Sequence, residues 1–95
     1  MILEVALLNV KEGMTTEFEV AFSKAERIIA SMKGYISHEL KKSVEKENQY
    51  ILLVNWQTLE DHEIGFRKSE EYQEWKKLLH HFYYPFPEVL HFTNL

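Results

Sequence analysis

The spacing of apolar residues changes along the chain, and each period predicts a structural element. Residues 2–10 are mostly aliphatic, which predicts a strand that is covered on both faces. From position 18 onward apolar residues recur at steps of three and four, which is typical of an amphipathic helix. That stripe consists of Phe18, Ala21, Phe22, Ala25, Ile28, Ile29 and Met32.

Capping residues suggest where this first helix begins and ends. Thr16 and Glu19 have the spacing of a capping box, in which each side chain accepts a hydrogen bond from an unpaired backbone N–H. The sequence therefore predicts a helix that begins near Thr16. Gly34 can adopt the left-handed backbone conformation, so we expect it to end the helix.

The second half of the chain predicts two further strands and then more helix. Residues 35–42 alternate weakly and residues 50–56 strongly between two faces, with a polar hairpin segment at 43–49. Thr58, with Asp61 three residues later, marks one helix start, and Ser69 marks another.

The last helix must end before the final strand. Pro85 and Pro87 cannot continue a helix, because proline lacks a backbone N–H. Residues 89–94 then alternate again, which predicts a fourth strand.

The element order β-α-β-β-α(α)-β predicts a single α+β domain over residues 1–95 with ferredoxin-like topology. A four-stranded antiparallel sheet should carry its helices on one face, while the other face stays apolar in the first and third strands. A chain of 95 residues with no cysteine buries only about 60–65% of its surface and has no disulfides. We therefore expect a homodimer that packs sheet against sheet. The alternative is a monomer with a weakly polar open face.

Charge and composition narrow the function. Fifteen acidic against eleven basic residues give a net charge of −4, which argues against binding to nucleic acid or to anionic membranes. The opening segment MILEVALLNV lacks the basic region and cleavage site of a signal peptide, so we expect a cytoplasmic protein.

Several kinds of site have no motif in this sequence. No HExxH, HxxxH or cysteine pair provides metal-ligand spacing, so no metal site is expected. Gly13, Gly34 and Gly65 are too far apart to form a phosphate-binding loop. A Gly-x-Ser-x-Gly nucleophile elbow is also missing.

The stretch from Tyr50 to Phe92 resembles the antibiotic biosynthesis monooxygenase family of dimeric α+β barrels. A strand ending in Trp56 is followed by a capped helix with His62 and by a helix that starts at Ser69. The resemblance implies a homodimer that oxygenates a phenolic, anthrone or quinol-like molecule without any cofactor. Members of this fold differ in chemistry, so a non-enzymatic dimeric ligand-binding or stress-associated module is an alternative.

A haem-binding or haem-degrading protein is a less favoured alternative. That branch of the family carries an Asn on the first strand, a Trp on the second helix and a His on the next helix. Asn9 matches the first position. Phe66 and Lys76 stand where the Trp and the His are expected.

Cofactor-free oxygenation needs a base, and histidine has a pKa near working pH. The family pattern favours His62. His80 and His81 lie about 100° apart on a helix, so only one of them should face inward, and we favour His80. Asn9 lies on a buried strand and needs a hydrogen-bond partner, which a substrate would provide. Each of the three also has a plain structural interpretation: a local bond at a helix start, a helix-end histidine and a bond between strands.

An aromatic wall would hold the substrate, and its candidates are Phe22, Phe66 and Trp75. Residues at such spacing are often simply core. A pocket that contains His62 or His80 beside Asn9 favours the enzyme, whereas a pocket filled by the three aromatic residues favours the binding module. We expect His38 and His91 to contribute to the dimer interface.

Overall fold

A computed structural model describes all 95 residues of the chain. Its elements in chain order are β1 (Ile2–Asn9), α1 (Thr15–Ala30), β2 (Tyr35–Lys42), β3 (Gln49–Trp56), a π-helix (Asp61–Phe66), α2 (Glu70–Leu79), a 3₁₀ turn (His80–Phe82) and β4 (Val89–Phe92). No helix has the length and apolar character that crossing a bilayer requires.

The four strands form one antiparallel sheet in the order β2-β3-β1-β4. Val5 in β1 pairs with Leu53 of β3 on one side and with Leu90 of β4 on the other. The helices lie on one face of this sheet. The predicted ferredoxin-like α+β class is therefore confirmed.

The core lies between the sheet and the two long helices. Every second residue of β3 from Tyr50 to Trp56 is buried, as the alternation predicts. The helical stripe around Phe18 and Phe22 packs onto this face, and Trp75 and Leu79 of α2 complete the layer.

The opposite face of the sheet carries apolar side chains that this chain does not cover. The exposed fractions are 46% for Leu7, 46% for Leu90 and 52% for Phe92. Leu3, Val5, Ile51 and Leu53 lie between them and are partly buried.

The capping box that was predicted to start α1 is wrong. The helix begins at Thr15, and its N-cap is Met14, which makes no side-chain capping bond. Glu19 accepts a hydrogen bond from the Tyr50 hydroxyl across the fold. Gly34 has a φ of +85°, but it lies in the turn that leads into β2, beyond the helix end at Ala30.

The other two predicted caps are confirmed. Thr58 Oγ1 accepts from the Asp61 backbone N–H at 3.1 Å, and Ser69 Oγ accepts from the Tyr72 N–H at 3.1 Å. Between them the backbone winds as a π-helix, in which the Arg67 N–H donates to the His62 carbonyl five residues back. Turns of this kind are rare in proteins, but those that occur are often found at functional sites.

Candidate active site

A small cavity of about 70 Å³ lies between the helix-facing side of the sheet, the π-helix and α2. Most of its wall is apolar or aromatic: Ala6, Leu8, Leu52, Phe66, Tyr72, Trp75, Tyr83, Phe86, Pro87 and Val89. Four other side chains contribute charge or proton-transfer groups, and these are Glu4, His62, Arg67 and His80. Few polar groups on an apolar wall are typical of a small-molecule site.

Glu4 is the buried acid of this cavity. It belongs to the helix-facing row of β1 with Ala6 and Leu8, and only 5% of it is exposed. Trp56 donates its indole N–H to Glu4 Oε1 at 2.9 Å. Burial raises the pKa of Glu4 to about 7, although the bond from Trp56 and the charge of Arg67 oppose this rise.

His62 is the neighbour of this acid. Its Nε2 lies 3.3 Å from Glu4 Oε1, and its ring stacks on Trp56 with centroids 5.2 Å apart. Burial lowers the pKa of His62 to about 3, with Arg67 and His91 adding to the effect. The ring is therefore neutral at working pH and can accept a proton at one nitrogen while it donates from the other.

His91 of β4 extends the pair into a line of three. Its Nε2 lies 2.8 Å from His62 Nδ1, and one of the two rings donates to the other according to tautomer. Partial burial lowers the pKa of His91 as well, so both rings are neutral. The three groups do not converge on one point, and no cluster of His, Asp and Glu in the chain is arranged to hold a metal ion.

His62 and Phe66, four residues apart in the π-helix, lie on the same side of it and line the cavity. Their rings stack with centroids 6.3 Å apart. Both are almost fully buried. Arg67 follows directly at the cavity wall.

His80 closes the other end of the cavity at the start of the 3₁₀ turn. Its ring contacts Tyr72, Tyr83 and Phe86 at centroid distances of 5.9, 6.2 and 4.9 Å. Burial lowers the pKa of His80, and the charge of Lys76 lowers it further. Burial also raises the pKa of the Tyr72 and Tyr83 phenols, so they remain protonated.

Four of the six residues selected from the sequence meet at this cavity. His62, His80, Phe66 and Trp75 all line it. His81 is exposed, as the angle between adjacent helical residues requires.

Two selected residues lie elsewhere. Asn9 points away from the helices, and its Oδ1 accepts from the Gln49 side chain at 3.1 Å. Phe22 is buried in the core between Phe18 and Trp75, outside the cavity wall. The structure therefore does not bring either of them to the other four.

His38 and His91, which we expected to contribute to the dimer interface, both lie on the helix-facing side of the sheet. His38 faces α1, where its Nε2 lies 3.2 Å from Glu26 and its Nδ1 meets the Tyr35 hydroxyl. His91 faces His62. Neither belongs to the row of Leu90 and Phe92 on the uncovered face.

Glu4, the buried acid of the cavity, was not among the residues selected from the sequence. A signal was present, because one carboxylate interrupts an otherwise aliphatic strand and falls in the same alternate row as Ala6 and Leu8. Arg67 and Tyr72 carried no comparable signal, since exposed and half-buried polar residues are common on helices.

This fold and site define a class: small α+β proteins that enclose an apolar cavity beside a buried carboxyl–imidazole pair. The profile of the family described as antibiotic biosynthesis monooxygenase matches residues 1–78. The chain belongs to this family.

Individual relatives agree with this assignment. The uncharacterized protein YczJ of Bacillus subtilis (strain 168) is 58% identical over the full length of both chains. A crystal structure from Bordetella bronchiseptica, assigned as an antibiotic biosynthesis monooxygenase, is 31% identical with a TM-score of 0.93, covering 99% of this chain and 96% of its own.

The fold also matches a protein described as a cofactor-independent oxygenase. This is SnoaB from Streptomyces nogalater, with a TM-score of 0.83 and 22% identity, covering 99% of this chain and 92% of its own. At that identity the likeness concerns the fold alone.

Proposed function

We propose that this protein is a cofactor-independent monooxygenase that oxidises a small phenolic, anthrone or quinol-like molecule. The observation that carries the proposal is the buried Glu4–His62 pair in an apolar, aromatic cavity. A general base works best when its pKa lies near the working pH, and the pKa of Glu4 is raised to about 7. Membership of the family supports the same reaction class.

Glu4 acts as the base in the first step. Trp56 and His62 both contact Oε1, which leaves Oε2 for the cavity. The carboxylate removes a proton from the activated C–H or O–H group of the substrate. The apolar wall lets the substrate anion delocalise its charge over its own rings rather than exchange protons with water.

Molecular oxygen is the oxidant, and the atoms balance without another reductant. The carbanion of a ring CH₂ group gives one electron to O₂, and the two radicals combine to form a C–O bond. The peroxide anion takes the proton back from Glu4. The remaining C–H proton on the same carbon then leaves as the O–O bond breaks. The departing hydroxide combines with this proton, which yields a carbonyl group and one water molecule.

The cavity must open to admit such a substrate. Its volume of about 70 Å³ is well below the roughly 300–1,000 Å³ of typical ligand pockets. Phe86 and Pro87 form part of the wall, yet 61% of Phe86 is exposed. The segment 84–87 is therefore the part of the wall that we expect to move when the substrate enters.

Oxygen uptake by metal-free protein tests the proposal. The protein is offered a panel of anthrones and hydroquinones, with Glu4→Gln, His62→Ala and His80→Ala beside the wild type. Glu4→Gln keeps an oxygen to accept from Trp56 but removes the base, so we expect kcat to fall about a hundredfold or more. Glu74→Gln, an exposed acid on α2, is the matched control and should keep wild-type activity.

No uptake across the panel would overturn the enzymatic proposal. Ligand binding without turnover would then favour the dimeric ligand-binding module, which the small, aromatic-lined cavity also suits. Haem is less well supported, because Asn9, the one residue that matches that pattern, lies outside the cavity wall.

We also propose that the protein works as a homodimer. The uncovered sheet face presents a continuous apolar row from β3 through β1 to β4, including the paired residues Leu53, Val5 and Leu90. Large exposed apolar patches are rare on monomers. A second copy packed about a two-fold axis would cover this face in both chains.

A further inference from the structure

His91 stands between the candidate base and the solvent. It does not line the cavity, but its Nε2 is 2.8 Å from His62 Nδ1. His62 in turn reaches Glu4 Oε1 with its other nitrogen, at 3.3 Å. The three side chains thus form a line from the carboxyl group, through two imidazole rings, to the edge strand β4.

Solvent exposure increases along this line from Glu4 to His91. The Glu4 and His62 side chains are 7% and 3% exposed, whereas His91 is only partly buried. Every buried side-chain nitrogen and oxygen in the chain has a hydrogen-bond partner. Nδ1 of His91 makes no hydrogen bond within the chain, so it is available to water.

We propose that His91 is a positioning residue that connects the Glu4–His62 pair to solvent, so that Glu4 can release a proton to water while substrate fills the cavity. The proposal rests on the proposed oxygenase function. His91 also fixes which nitrogen of His62 carries the proton, as the partner of an imidazole commonly does.

The reaction gives a reason for such a connection. Glu4 must be ionised before it can take a proton, and roughly half of the molecules hold it protonated at a pH equal to its pKa of about 7. Substrate that binds to a protonated molecule blocks the cavity route to water. The proton can then leave only through His62 and His91.

Proton transfer along the line needs no lasting charge on either ring. His62 accepts a proton from the carboxyl group at Nε2 as its Nδ1 proton passes to His91 Nε2, and His91 releases its own Nδ1 proton to water. Both rings are neutral before and after the transfer. This suits two imidazoles whose pKa values are lowered by burial.

Other charged or titratable groups surround the line. His62, Arg67 and Tyr72 face Glu4, whereas Glu63 and Arg67 act on His91. None of these groups lies between His91 and His62, which are in direct contact.

The first test compares kcat and KM across pH for His91→Gln and His91→Ala. Gln retains hydrogen-bonding groups but does not relay protons. We expect kcat to fall about tenfold at pH 6, where most Glu4 is protonated, and less than about twofold at pH 9, with KM unchanged. His81→Gln, an exposed histidine, is the control and should match wild type at both pH values.

Added imidazole separates a relay from a structural role. In His91→Ala a free imidazole molecule can occupy the vacated position and restore kcat at pH 6, with no effect on wild type or on His91→Gln. A loss of kcat that is equal at all pH values, or that imidazole does not restore, would contradict the relay.

A measurement without substrate keeps the two proposals apart. With ¹⁵N-labelled histidine, exchange of the His62 ring N–H with water should be about tenfold slower in His91→Gln than in wild type, while exchange at His80 stays unchanged. If wild type consumes no oxygen, the proposed function fails and this exchange rate alone decides the relay. An unchanged rate would overturn it.

Discussion

Burial shifts the pKa values of Glu4 and His62 in opposite directions. Burial favours the neutral form of both groups, so the pKa of Glu4 rises from 4.5 to about 7 and that of His62 falls from 6.5 to about 3. Folding therefore takes up a proton at Glu4 and releases one at His62 over much of the same pH range. Proton uptake at Glu4 makes the free energy of unfolding fall with rising pH, and proton release at His62 makes it rise. In the wild type these two contributions largely cancel between about pH 4.5 and 6.5.

Substituting either Glu4 or His62 should reveal the pH dependence of stability that the other residue contributes. In His62→Gln the Glu4 contribution remains: it is fully present below pH 4.5 and is lost as pH rises through about 7, so the free energy of unfolding should fall by about 3 kcal/mol over that window. In Glu4→Gln the His62 contribution remains, and stability should rise with pH from about 3 to 6.5.

Urea unfolding at half-unit steps of pH measures both slopes. The difference between each variant and wild type removes the contributions of His80 and His91, whose pKa values are also lowered. Parallel stability curves for wild type and Glu4→Gln would mean that Glu4 titrates as an exposed acid.

At the level of single elements, two glycines with similar backbone conformations have different surroundings. Gly13 and Gly34 have φ values of +80° and +85°. A Cβ on Gly13 would meet nothing within 4 Å, whereas one on Gly34 would overlap the Asp61 side chain. Strand β2 can therefore begin so close to the π-helix only because residue 34 has no side chain.

Substitution by alanine separates the cost of the left-handed backbone conformation from the cost of the overlap with Asp61. Gly13→Ala should lower the free energy of unfolding by about 1–2 kcal/mol, from the backbone alone. Gly34→Ala should cost about 1–3 kcal/mol more, because Asp61 and its capping contact with Thr58 must shift. Equal losses in thermal or urea unfolding would show that the Asp61 contact is not limiting.

The Ser69 cap of α2 is the second test at this scale. Ser69→Ala leaves the Tyr72 N–H without its acceptor and should cost about 1 kcal/mol in urea unfolding. The matched change Ser23→Ala in the exposed middle of α1 should cost nothing, since alanine favours helix. A Ser69→Ala variant as stable as Ser23→Ala would mean that solvent replaces the cap.

The elements themselves were largely predictable because burial in this chain follows simple periods. The alternation in β3 and the stripe of α1 both depend on which face meets the core, and the structure confirms them. The start of α1 was not predictable from Thr16 and Glu19, since Glu19 pairs with Tyr50, a residue brought near only by the sheet.

The site was predictable only in part for the same reason. His62, Phe66, Trp75 and His80 follow from helix periodicity and family resemblance. The partnership of Glu4 with Trp56, His62 and His91 joins β1, β3, the π-helix and β4, and no local pattern specifies which side chains such distant segments bring together.

At the scale of the whole molecule, the apolar face of the sheet is not covered by any element of the same chain. Leu7 lies on that face beside Ile51 of β3 and is 46% exposed in one chain. We expect a sedimentation mass of twice 11.4 kDa for wild type at micromolar concentration. Leu7→Lys should shift the protein toward the single-chain mass, because it places a charge in the predicted interface.

Val20→Lys provides the control for this experiment. Val20 is 55% exposed on α1, on the helical side of the molecule, so the variant should sediment as wild type does. A wild-type mass near 11.4 kDa would show that the apolar sheet face is left open to water.

Oxygen-isotope labelling shows directly whether the protein inserts one oxygen atom from O₂ without a cofactor, and whether that reaction depends on Glu4. Metal-free protein is supplied with ¹⁸O₂ and the anthrones and hydroquinones of the uptake panel, and the product is weighed by mass spectrometry. We expect one heavy oxygen in the product of wild type and of Glu74→Gln, with very little product from Glu4→Gln. Unlabelled product, or labelled product formed equally fast by Glu4→Gln, would contradict it.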